Sequence, residues 1–209
     1  MSEQSSRQYH SPRRAQQAEA TRDAIVRGAR RLFAQYGYQA TTLQAIAQEA
    51  GVAVPTIYAT FGSKAAILST LVKSAGADED IRALAEAAFS EPDPRRQVRL
   101  AATVMRAIME RDDDLMELLR QAGGGDPDLD AAWRQSHSQR LNRLGALAAQ
   151  YAEKGALKSG LSVEEATDIQ FALSSPEIYR LLTRERGWTP ERFEAWLAET
   201  LTALLLREA

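Results

Sequence analysis

Apolar positions along the chain recur three and four residues apart, the period that puts them on one face of an α-helix. Ala18, Ile25, Ala29, Leu32, Phe33 and Tyr36 make a first stripe, which Gly37 ends as a C-cap. Residues 39–41 form a short link. Thr42 is placed to cap a second helix with the stripe Leu43, Ile46, Ala47 and Ala50, broken at Gly51. Pro55 falls in the first turn of a third short helix, where its missing N–H costs nothing. Ser63 then caps a fourth, carrying Ala66, Ile67, Leu71 and Val72.

Beyond a link at 74–80 the helices lengthen, starting with 81–89, which ends near Glu91-Pro92-Asp93-Pro94. Val98, Ala101, Ala102, Met105, Ile108 and Met109 form one stripe and Leu115, Leu118 and Leu119 another, stopped by Gly123-Gly124-Gly125-Asp126-Pro127. Leu129, Trp133, Leu141, Leu144, Leu147, Ala148 and Tyr151 mark a long amphipathic helix, and a last pair covers 162–183 and 189–207. Neither a strand pattern nor an internal repeat stands out. The expected fold is all-α, with about nine or ten helices.

Residues 47–64, AQEAGVAVPTIYATFGSK, hold the densest local information. Small Ala47 lets two helices cross closely, Gly51 allows a positive φ in the turn, and Ile57 plugs the angle between the helices. This is the arrangement of a helix-turn-helix. The second helix then turns Val54, Pro55, Thr56, Tyr58 and Ala59 outward, and a helix so presented fits the major groove of DNA.

Charge sharpens that expectation. The formal net charge of -2 divides into a basic end, residues 1–73 with nine Lys+Arg against four Asp+Glu, and an acidic remainder with seventeen against twenty-four. A basic end suits a polyanion. Arg7, Arg13 and Arg14 fall in a polar segment, residues 1–14, expected to be a disordered arm that reaches DNA or merely aids solubility.

Composition narrows the rest. At 209 residues and 44% hydrophobic, the chain can bury a sizeable core. No apolar run approaches the roughly 20 residues a bilayer needs. The first residues lack the apolar core of a secretory signal, so the cytoplasm is the expected compartment. With Cys 0, thiolate nucleophiles, disulfides and cysteine metal sites are excluded.

The segment from Ala18 to Leu71 resembles the tetracycline-repressor (TetR) family of transcriptional regulators. TTLQAIAQEAGVAVPTIYATFGSKAAIL carries the turn glycine, the Tyr58 and Phe61 spacing and the FGSK link in order. The resemblance implies that Thr42, Tyr58 and Lys64 contact phosphates while Val54, Pro55 and Thr56 face bases. A cation beside a helix N-terminus and a hydroxyl on a rigid ring suit those roles. Many relatives have Ser or Thr where this chain has Ala53, so one capping side chain is missing. Phe61 is expected to fill the core.

The last helix shows Phe193, Trp196, Leu197, Leu201, Leu204 and Leu205 on one face. Such a stripe serves either an intrachain core or a partner helix. SSPEIYRLLTRERGWTPERFEAWL resembles the C-terminal part of one TetR subgroup, which implies a homodimer through the last two helices. The family also implies an effector cavity, for which Met105, Met109, Met116, Trp133, His137 and Phe171 are the candidate lining, methionines and aromatics making adaptable apolar walls. Ordinary core packing is the competing role for each of them.

Other chemistry is sparse. Asp112-Asp113-Asp114 point around a helix rather than converging on a metal, and are expected as a solvated cap or turn. His10 and His137 are isolated, and no catalytic triad spacing, P-loop or dinucleotide fingerprint occurs. The expected protein is a ligand-responsive regulator, most simply a repressor, without cofactor, metal or enzymatic activity. Its expected organisation is an arm (1–14), a helix-turn-helix DNA-binding domain (15–73) and a helical effector-binding and dimerisation domain (74–209). Its expected partners are double-stranded DNA, a small apolar or amphipathic molecule and a second copy. Two other roles fit the same sequence: a helical small-molecule carrier or enzyme with a vestigial helix-turn-helix, and a module that uses the turn on a protein partner.

Overall fold

A computed structural model describes residues 12–74, 79–122 and 127–208. The expected arm residues 1–11, with Arg7 and His10, lie outside the described residues, as do residues 75–78 and the glycine run at 123–126. The chain divides into two compact units after Leu71. Both are helical.

In the first unit, α1 (Pro12–Ala40) begins earlier than expected, so Arg13 and Arg14 stand in its first turn and not in an arm. The helix kinks at Gly37, whose φ of 77° is open to glycine and strained for other residues. α2 (Leu43–Ala50) follows, capped by the Thr42 hydroxyl oxygen, which accepts from the Ala45 N–H at 3.1 Å. Gly51 closes it in the left-handed region at φ 66°, and the Val52 N–H returns to the Ala47 carbonyl at 2.9 Å. α3 (Val54–Phe61) starts at Ala53 without a side-chain cap, with Pro55 in its first turn. α4 (Lys64–Ser74) is capped by Ser63, which accepts from Ala66 at 3.0 Å. α1 packs on α2 and α2 on α3, with Ile25, Ala29, Phe33, Ile46, Ala47 and Ile57 buried. Burying each large side chain contributes about 1.5–3 kcal/mol.

The second unit contains α5 (Glu79–Ser90), α6 (Pro94–Ala122), α7 (Pro127–Glu153), α8 (Val163–Leu173), α9 (Pro176–Arg180), a π-helical turn (Leu181–Glu185) and α10 (Pro190–Leu205). The two expected stripes at Val98–Met109 and Leu115–Leu118 belong to one helix, α6. The helix expected over 162–183 is broken instead, because Pro176 cannot continue it and Ser175 caps a new start. α10 packs along α6, α5 on α6 and α7 on α8. Val98, Ala102, Met109, Ala148, Tyr151, Phe193 and Leu197 lie in their shared core. A single bridge between Leu157 and Leu206 pins the end of α10 to the loop after α7.

Asp112 and Asp113 are buried within α6, contrary to the expected solvated cap. For Asp113 the partners lie some seventy residues on. Arg180 Nε stands 2.8 Å from one Asp113 oxygen and Arg184 donates to the other at 2.7 Å. Burial pushes the Asp113 carboxyl up, against the pull of Arg180 and Arg184.

Candidate nucleic-acid interface

Local chemistry builds the candidate interface. Ile57 is fully buried between the helices, so α3 cannot roll, and the residues a half-turn away face outward. Tyr58 is 57% exposed, Pro55 and Ala59 are exposed, and Val54 and Thr56 are half-buried. The Thr60 hydroxyl donates to the Thr56 carbonyl at 2.7 Å, tightening the same helix. Gly62, at φ 77°, donates to the Tyr58 carbonyl and lets the chain turn into α4. Phe61 is half-buried with the Arg22 guanidinium 4.5 Å above its ring, so its part is packing.

Thr42 is exposed at the N-terminus of α2, where free backbone amides and the helix dipole favour an anion. Lys64 behaves otherwise. Its ammonium donates to the carbonyls of Tyr38 at 2.7 Å and Thr41 at 2.8 Å, approaches that of Gln39 at 3.5 Å, and lies 4.3 Å from the centre of the Tyr38 ring. Partial burial holds it below the usual lysine value. Tyr38 and Thr41 were not anticipated as part of the site, although they flank the link after Gly37. Both are buried, and the Thr41 hydroxyl contacts the carbonyls of Gly37 at 2.8 Å and Leu32 at 3.2 Å.

The six candidate effector residues separate into groups. Trp133, His137 and Phe171 come together, with ring centroids 4.1 Å apart for the first pair and 5.7 Å for the second. Met109 lies in the core shared with α10, Met105 packs against that core, and Met116 is half-buried on α6. Arg140 joins the aromatic group: its guanidinium lies 4.2 Å from the Phe171 ring centre and donates to the Phe171 carbonyl and, at 3.0 Å, the Ser174 hydroxyl. Burial brings its pKa down to about 10. The spacing of 133, 137 and 140 on one helical face was the available signal for it.

The expected dimerisation stripe is also divided. Phe193, Leu197, Leu201 and Leu205 are buried inside the protomer, because α10 lies against α6 and turns these residues toward it. They are core residues, not a surface for a second copy. Trp196 is half-buried against Phe193, and Leu204 is 44% exposed.

Comparison with known proteins agrees with this geometry. Residues 25–71, covering the end of α1 through α4, match the model of bacterial regulatory proteins, tetR family. The chain is 29% identical over 170 residues to the uncharacterized HTH-type transcriptional regulator YdeS of Bacillus subtilis (strain 168), covering 78% of this chain and 79% of the relative. Its fold is shared with NalD, the secondary repressor of the MexAB-OprM multidrug efflux pump in Pseudomonas aeruginosa (TM-score 0.73, 22% identity, 93% of this chain and 100% of that one). It is shared equally with the transcriptional regulator FadR from Bacillus subtilis in complex with stearoyl-CoA (TM-score 0.72, 21% identity, 87% and 97%). The matched helix-turn-helix, the curated relative and the shared fold all resemble those of TetR-family transcriptional regulators. No helix among the described residues is long and apolar enough to cross a membrane.

Proposed function

We propose that the chain acts as a dimeric repressor that reads a palindromic operator and releases it when a small apolar or amphipathic molecule enters the second unit. The observation that carries this is the pinned α3: Ile57 is sealed inside while Pro55 and Tyr58 stand in solvent beside the exposed N-terminus of α2. On this reading Val54, Pro55 and Thr56 meet base edges, and Thr42 and Tyr58 meet phosphate. Two recognition helices, one from each copy, would match the two halves of a palindrome.

Support for an effector comes from the Trp133, His137 and Phe171 group with Arg140 at its edge, an apolar wall beside a guanidinium. That combination favours a molecule with an apolar body and a polar or anionic end. FadR, bound to stearoyl-CoA, gives one example of such a ligand on this fold. The deciding experiment is binding to duplex DNA that flanks the protein's own gene, followed by footprinting. A carrier, an enzyme or a protein-binding module would leave that DNA unprotected.

A further inference from the structure

We propose that Lys64 serves DNA binding as a positioning residue: its ammonium clasps the carbonyls of Tyr38 and Thr41 and so fixes the N-terminus of α2. The inference deepens the DNA-binding role proposed above and rests on it only for its DNA measurements.

A lysine ammonium has three N–H donors and no acceptor. Two are engaged at 2.7 and 2.8 Å, and the Gln39 carbonyl at 3.5 Å lies nearest to a third. The Tyr38 ring covers part of the same cation at 4.3 Å. The clasp sits where a cation is favoured: after the kink at Gly37 the chain comes to the end of α1, which carries the negative end of the helix dipole.

The clasp bears directly on the candidate phosphate site, because Thr41 and Thr42 share a peptide bond. The Thr41 carbonyl is held by Lys64 while its hydroxyl is anchored to Gly37 and Leu32. The next residue caps α2 twice, its hydroxyl accepting from Ala45 at 3.1 Å and its carbonyl from Ile46 at 3.1 Å. Lys64 thus links the first residue of α4, across the end of α1, to the cap of α2. Two of its three donors are engaged in the clasp, in short, charge-assisted hydrogen bonds.

Two variants separate clasp from contact. Lys64→Met keeps the stem and removes the donors; Lys64→Arg keeps the charge, but its planar fork cannot converge on two neighbouring carbonyls as an ammonium does. The readouts are amide hydrogen exchange in the DNA-free protein and affinity for duplex DNA. The clasp predicts at least about tenfold faster exchange at Ala45 and Ile46 in Lys64→Met, with the amide of Val52 unchanged, and at least about tenfold weaker DNA binding that Lys64→Arg does not restore. Wild-type exchange at Ala45 in Lys64→Met, or wild-type affinity in Lys64→Arg, would overturn it, since arginine is an excellent phosphate ligand. If Lys64→Met fails to fold, Lys64→Arg decides by itself: weakened DNA binding with fast Ala45 exchange supports the clasp. If the wild-type protein binds no DNA, the proposed function fails while exchange still decides the clasp.

Discussion

Arg31 donates through Nε to the Glu49 carboxylate at 2.8 Å, tying α1 to α2 one turn from the point where Gly28 brings the two helices into close approach. A Cβ at Gly28 would stand 3.2 Å from Glu49 Cγ and 3.5 Å from the Ala50 backbone nitrogen. The ion pair is largely exposed and contributes little by itself. The glycine matters more. Gly28→Val should force the helices apart and cost about 1–3 kcal/mol of unfolding free energy, as overpacking does, whereas Arg31→Ala should cost under about 1 kcal/mol. Denaturant titration of both variants checks the order, and equal losses would contradict it.

Thr42 and Tyr58 are predicted to fail differently. Thr42→Ala removes the cap of α2 and should lower stability by about 1 kcal/mol while weakening binding to every DNA sequence alike. Tyr58→Phe removes only an exposed hydroxyl, so its stability should match wild type and its DNA affinity alone should fall. Thermal melts paired with anisotropy titrations distinguish the two. A Tyr58→Phe protein with undiminished affinity would remove that phosphate contact.

Much of the helix-turn-helix was legible because its signals are local. Gly51, Pro55 and the Ile46 and Ile57 spacing fix the turn within a dozen residues, and Thr42 caps where expected. The bonds of Lys64 to the Tyr38 and Thr41 carbonyls were not legible, because these partners lie 26 and 23 residues away, across a kink that periodicity does not reveal. Asp113 was misread for the same reason, its arginines lying some seventy positions distant. On α10, a wide apolar stripe cannot show from sequence which edge meets its own core. Trp133 and His137, one turn apart, do meet Phe171, whereas Met105 and Met109 pack in or against the core shared with α10.

The division of α10 changes the expected outcome of interface mutations. Leu204 on α10 and Leu181 in the π-helical turn are among the exposed large apolar residues, at 44% and 43%, so if the proposed dimer forms through the end of the chain, Leu204→Asp with Leu181→Asp should leave a folded monomer with greatly weakened operator binding. Leu201→Asp, which puts a charge in the core, should instead fail to fold stably. Sedimentation and circular dichroism together test this. A stable dimer in the Leu204 and Leu181 double variant would contradict dimerisation through these residues.

Glu165 predicts a specific acid sensitivity. The Ser162 backbone N–H at 2.9 Å, then its hydroxyl at 2.8 Å, hold the Glu165 carboxyl below its ordinary value in the capping box of α8. A depressed folded-state value means that its stabilisation is present above the unfolded-state value near 4.5 and is lost as pH falls through the lower folded-state one. Glu165→Gln should therefore be less stable than wild type at pH 7, the difference shrinking in acid. A difference that stays constant or grows as the solution is acidified would contradict the box.

The most direct test of the central claim is the affinity of the purified protein for a duplex from beside its own gene, measured against a scrambled duplex over a range of salt. A dimer whose basic units neutralise about four phosphates should lose on the order of 100-fold in affinity between 50 and 200 mM salt, and should prefer its operator by at least about 1,000-fold. Binding that is indifferent to salt, or equal for the two duplexes, would contradict the account.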